Sequence, residues 1–179
     1  PSISGPADLR ALRVDQLDQL AAEIRWAICD QVSRTGGHLA PNLGVVELTI
    51  AMHYVFDFGH DRLLFDVGHQ CYPHKLLTGR LDMLPRLRKR GGMAGFPEPS
   101  ESPFDLFSVG HAGTAISTAV VATIGGVTSF IAAIAASRRD NPFSSWRSTF
   151  STTTIASSTT RPTASTSPRS VRVLIENPN

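Results

Sequence analysis

The chain has 179 residues, a formal charge of +2, 41% hydrophobic and 18% charged residues, the balance of an ordinary soluble domain with room for one buried core. Its basic cluster, Arg86-Leu87-Arg88-Lys89-Arg90, lacks interleaved aromatic residues and reads as a solvated face, so no nucleic-acid partner is expected. Cys29 and Cys71 fit no metal-ligand spacing and the start does not resemble a secretory signal, which leads to the expectation of a reducing cytoplasm.

In chain order, Leu17, Leu20, Ala21, Ile24, Ala27, Ile28 and Val32 recur at helical spacing. Asp15 is expected to cap this helix, and Gly36-Gly37 to end it. Its consequence is to deliver His38 to a fixed place. Residues 45–56 are apolar nearly all round, predicting a buried helix with Asn42 as its cap. Within it Glu47 is a charge that needs a partner or exposure. His53 reads as a packed core histidine and His60 as a surface-loop residue.

Leu63-Leu64-Phe65 then leads into Asp66-Val67-Gly68-His69, followed by Pro73 at a first helical position and Gly79 as a stop. That is strand, functional turn, short helix. In an open α/β sheet, ligands bind at the carboxyl ends of strands. Residues 81–90 are expected to form a short helix, 91–95 a glycine-rich loop and 97–103, with three prolines, an irregular surface segment. Leu106, Phe107, Ser108 and Val109 are expected as a second short strand feeding Gly110-His111. Residues 112–137 carry no charge for 26 positions but are mostly small; a packed helix over the first half is favoured over a membrane span. From 144 to 170, Ser and Thr make up 17 of 27 residues, too few apolar groups to offset the entropy of ordering, so this stretch is expected to be poorly ordered. Three Gly-His pairs, at His38, His69 and His111, fall at element boundaries, where a missing Cβ lets a ligand approach.

Gly36-Gly37-His38-Leu39-Ala40-Pro41-Asn42-Leu43-Gly44-Val45-Val46-Glu47-Leu48-Thr49, the stretch from Asp66 to Gly79, Gly91-Gly92-Met93-Ala94-Gly95-Phe96-Pro97, Glu101-Ser102-Pro103-Phe104-Asp105 and Val109-Gly110-His111-Ala112 together resemble the amino-terminal part of the 1-deoxy-D-xylulose-5-phosphate synthases. The resemblance runs from about residue 6 to about residue 122. It implies an α/β fold: residues 1–122 as part of a transketolase-like thiamine-diphosphate-binding domain, and 123–179 as a divergent, low-complexity C-terminal tail.

The resemblance also implies a chemistry. Pyruvate and glyceraldehyde 3-phosphate would be joined to 1-deoxy-D-xylulose 5-phosphate with loss of carbon dioxide, using thiamine diphosphate and Mg²⁺, in a cytoplasmic homodimer without a membrane or nucleic-acid partner. His38 would face the reacting carbons. His69, Gly110, His111, Ala112 and Gly113 would contact the cofactor, and His74 and Lys75 would be structural. The family more usually has Ser at the position of Gly113. Its Gly-Asp-Gly motif and downstream Asn, which hold Mg²⁺, have no counterpart here, so no metal ligand is assigned; Asp140-Asn141 lacks the flanking glycines. The expected function is therefore a truncated synthase, inactive by itself. The alternatives are the small subunit of a split transketolase-like enzyme, or a non-catalytic module that pairs with a full-length synthase.

Overall fold

A computed structural model describes residues 3–124, 131–134, 151–155 and 171–175. The chain opens with a short helix α1 (Pro6–Arg10) and then the long α2 (Leu17–Thr35). Two helices follow, α3 (Ala40–Leu43) and α4 (Val46–Val55), and then strand β1 (Leu63–Phe65) and helix α5 (Tyr72–Leu77). Helix α6 (Ala115–Ile124) precedes β2 (Ile131–Ile134), β3 (Ser151–Ile155) and β4 (Val171–Ile175). The strands form one sheet in the order β1-β2-β4-β3, parallel except for the β3–β4 pair.

The core forms where the apolar stripe of α2 meets α4 and α5. Leu20, Ile24 and Ile28 are buried in one cluster with Val46, Ile50, Leu76 and Leu77. Each fully buried side chain of this kind stabilises the fold by roughly 1.5–3 kcal/mol. The charge on α4 has its partner on α2: Arg25 forms a two-pronged ion pair with Glu47 and also donates to the Leu43 carbonyl at 3.2 Å. His53 is fully buried and His60 is exposed, as their positions led one to expect.

A second, polar core joins α5 to residues 94–105. Asp105 accepts both terminal nitrogens of Arg80, at 2.6 and 2.8 Å, the backbone N–H of Glu98 at 2.7 Å and the ring of His74 at 3.0 Å. Lys75, fully buried, donates to Glu101 at 2.7 Å and to the Ala94 carbonyl at 3.1 Å. Two cations and two carboxylates thus balance, and together they fasten residues 94–105 to α5 and the turn after it. A buried pair keeps its charge only when lone pairs and protons are met in this way.

The histidines extend the chain of bonds. His74 gives its Nε2–H to Asp105, so its Nδ1 is left as acceptor for the Nε2–H of His53 at 2.9 Å. Nδ1 of His53 is then a buried acceptor without a partner. Burial, followed by the neighbouring charges, pushes His53 down to about 2; burial also lowers His74, against the pull of Asp105. Both are neutral imidazoles in the fold. The unfolded chain takes up these protons near pH 6.5, so this contribution to stability is complete above that pH and declines as pH falls through it. Stability measured in urea at pH 5 is expected to be about 2 kcal/mol below that at pH 7 from His53 alone, with His74 adding to the loss; a flat profile would contradict it.

Several local expectations are corrected. Asp15 does not cap α2: it lies in a 3-10 turn, Val14–Gln16, and its carboxylate pairs with Arg13. Asn42 lies inside α3, and its side chain is engaged elsewhere. Pro85 limits the expected 81–90 helix to a 3-10 turn, Leu81–Arg86, because it cannot donate to a helical ladder. Residues 106–109 are not a strand. β1 pairs with β2, and Leu106 and Val109 are held by side-chain packing, against the Leu64–Ala115 cluster and close to Gly68 respectively. Of the Ser/Thr-rich stretch only β3 belongs to the described residues; the rest, with Asp140 and Asn141, lies outside them. Among the described residues no helix is long and apolar enough to cross a membrane.

Candidate functional site

The site lies at the carboxyl end of β1. There the chain turns through two residues in the left-handed region, Val67 at φ 64° and Gly68 at φ 83°. For a β-branched residue this conformation costs roughly 1–2 kcal/mol, so the surroundings must impose it. They do: Val67 N donates to the Ala112 carbonyl at 3.3 Å, and Asp66 Oδ1 accepts the backbone N–H of Ala115, the first residue of α6, at 3.1 Å. The turn after β1 is thereby tied to the turn before α6, where His111 is itself left-handed at φ 50°. Two strained non-glycine residues side by side are the kind of feature that clusters at functional sites.

These turns bring the three Gly-His pairs together. The ring centroids of His38 and His69 are 5.7 Å apart, those of His38 and His111 5.8 Å, and those of His69 and His111 5.7 Å. The imidazoles stand at the corners of a nearly equilateral triangle. Phe96, from the glycine-rich loop, covers one side, 5.1 Å from His38 and 5.3 Å from His111. His38 and His69 are half-buried and His111 is exposed, so the cluster opens to solvent on the His111 side.

Burial, then the charges of His69, Arg88 and His111, lowers the pKa of His38; burial and His111 lower that of His69. Near neutral pH both rings are therefore neutral, each offering one N–H and one lone pair, the state in which an imidazole can donate and accept protons. Nδ1 of His69 is buried without a partner, as is Oε1 of the neighbouring Gln70. Gly110 has open space where a Cβ would be. At Gly113 a Cβ would meet Asp66 Oδ2 at 3.7 Å, an ordinary contact. Gly113→Ser is expected to fold with stability within about 0.5 kcal/mol of the unchanged chain, checked by thermal melting, while placing a hydroxyl beside Asp66.

All the residues singled out from sequence, His38, His69, Gly110, His111, Ala112 and Gly113, lie at the triangle or on the turn that carries it, except that His74 and Lys75 belong to the buried ionic network. Sequence reasoning missed the residues that hold the triangle. Tyr72, fully buried, accepts the His38 backbone N–H at 3.2 Å and its hydroxyl lies 3.3 Å from His38 Nδ1. Asn42 donates from one amide to the carbonyls of His38, at 2.6 Å, and His69, at 2.9 Å, and accepts Tyr72 N at 2.8 Å. The only available signal was their adjacency to the Gly-His motifs.

Among the described residues no group of three His, Cys, Asp or Glu side chains could hold a metal ion.

A family model described as 1-deoxy-D-xylulose-5-phosphate synthase matches residues 1–134. The 1-deoxy-D-xylulose-5-phosphate synthase of Thioalkalivibrio sulfidiphilus is 59% identical over 118 residues, 66% of this chain and 18% of the relative. That of Thiobacillus denitrificans is 59% identical over 119 residues, 66% of this chain and 19% of the relative. That of Paraburkholderia phymatum is 56% identical over 124 residues, covering 69% and 20%. The chain therefore spans about a fifth of the length of the curated relatives it matches.

Proposed function

Because the chain belongs to the 1-deoxy-D-xylulose-5-phosphate synthase family, we propose that it is the amino-terminal part of a transketolase-like, thiamine-diphosphate-binding domain whose site is the His38, His69 and His111 triangle. The observation that carries this reading is the convergence of three imidazoles, from distant turns, to within 5.8 Å of one another. The residues fit an organic cofactor with polar edges. His69 Nδ1 and Gln70 Oε1 are buried and unpartnered, Gly110 leaves room for close approach, and Phe96 gives an apolar wall.

Thiamine diphosphate, when bound, supplies the electron sink for decarboxylating pyruvate and passing its remaining carbons to glyceraldehyde 3-phosphate. This chain contributes the proton-handling groups around it. His38, kept neutral by burial and by its neighbours, holds or accepts a proton at a ring nitrogen beside the reacting carbons. His69 and the 110–113 turn orient the cofactor, and Phe96 with the half-buried rings restricts water. Among the described residues no group of three His, Cys, Asp or Glu side chains forms a ready-made metal site, so no metal-dependent step is assigned to them. The cytoplasmic location and the homodimer belong to the same proposal.

With the activating and phosphate-holding groups of the rest of such an enzyme lying in other segments, this chain alone is expected to bind but not to turn over. Calorimetric titration with thiamine diphosphate should give a dissociation constant of about 1 mM or tighter, roughly −4 kcal/mol, abolished by His69→Ala. No heat with several millimolar cofactor would overturn the reading of the site, and product formed from pyruvate and glyceraldehyde 3-phosphate would overturn the inactivity. A second reading, a chain completed by another polypeptide, is supported by an apolar groove lined by Ile3, Ile24, Trp26, Leu77 and Leu81, in which Trp26 is 70% exposed. Activity that appears only on mixing with the remaining domains of a relative would distinguish it.

A further inference from the structure

We propose that Asn42 is a positioning residue that fixes the spacing of His38 and His69. Its side chain is fully buried, and each of its hydrogen-bonding groups is engaged. One N–H reaches the carbonyl of His38 at 2.6 Å and the other that of His69 at 2.9 Å, while the amide oxygen receives Tyr72 N at 2.8 Å. An amide is the side chain that suits this place: it has two donors on one nitrogen and an acceptor opposite them. Aspartate, of the same shape, would turn both donors into an acceptor facing two carbonyls. Alanine would leave three buried backbone groups unmet.

The geometry sets two ring positions through one planar group. His38 follows the end of α2 and His69 follows β1, and no backbone hydrogen bond joins the two segments among those described. Their carbonyls are bridged by Asn42, and Tyr72, which Asn42 also holds, reaches back to the His38 backbone with its hydroxyl. A small rotation of this amide would move both rings relative to each other, whereas loss of an ordinary packing residue would loosen the core without a preferred effect on that distance.

The importance of this spacing for catalysis rests on the function proposed above, but the spacing itself can be tested with no cofactor present, so failure of one is distinguishable from failure of the other. The titrations of His38, His69 and His111 are followed by NMR in the unchanged chain, His69→Gln, Asn42→Ala and the double variant. Removing His69 should raise the titration midpoint of His38 when Asn42 is present, and by less than about half as much when it is absent. An equal shift in both backgrounds, in a folded Asn42→Ala protein, would overturn the proposal. Should that variant not fold, the unchanged chain still decides: scalar couplings across the hydrogen bonds, from Asn42 Nδ2 to the carbonyl carbons of both His38 and His69, are expected, and the absence of either coupling overturns it.

Discussion

Asp105→Ala should lose about 3–5 kcal/mol of folding stability, read as a drop in the urea midpoint, because it strands a buried arginine and a buried lysine with one carboxylate between them. Burial works against the Asp105 charge, yet hydrogen bonds from His74 and Arg80 overcome it and hold the carboxyl well below its usual range. Removing it leaves the Arg80 guanidinium, only 3% exposed in its side chain, with Glu101 at 3.4 Å as its remaining ionic partner. The Nε of Arg80 is already unpartnered. For a domain of ordinary stability, about 5–15 kcal/mol in total, such a loss approaches unfolding. Asp105→Asn, which keeps the shape and part of the bonding, should cost less; equal stability of all three proteins would refute the account of the network.

Gly68→Ala should cost about 2–4 kcal/mol, the sum of a strained backbone and a steric conflict. Gly68 sits at φ 83°, and a Cβ there would lie 2.5 Å from Val109 Cγ2 and 2.7 Å from Pro97 Cδ. Neither neighbour can yield easily, since Pro97 is a buried ring and Val109 stands on the segment leading to His111. The turn would have to open and carry His69 away from the triangle. Loss of the mutual displacement between His69 and its neighbours in an NMR titration would accompany the loss of stability. A variant as stable as its parent would show that the turn is more adaptable than its contacts imply.

The outline of the helical half was legible because it depends on local periodicity. The stripe from Leu17 to Val32 and the apolar run around α4 predicted two helices that form, and Pro73 marked the start of α5. The Gly-His pairs were legible as boundary features, and the structure groups them. Two kinds of information were not. Leu106 to Val109 has the composition of a strand, but strand formation needs a partner edge, and which segment pairs with β1 is decided by residues far away, at 131–134. The second kind is the polar framework. Asn42 reads locally as a cap, and Asp105, just after the 97–103 surface segment, carries no local signal of burial, yet their partners lie 25 to 31 positions away for the Asp105 bonds to Arg80 and His74, and 27 to 30 for the Asn42 bonds to His69 and Tyr72. A pattern within a short window carries no trace of such pairs.

The three rings of the triangle come from positions 38, 69 and 111, which orders their assembly in time. On a growing polypeptide, His38 and His69 can meet as soon as α5 has left the ribosome, while the third corner must await a further loop whose closure costs entropy before any contact rewards it. A nascent chain that has emerged past residue 79 but not yet to residue 111 would accordingly hold a pair of imidazoles and an open corner, a state in which the pocket exists but nothing yet closes it.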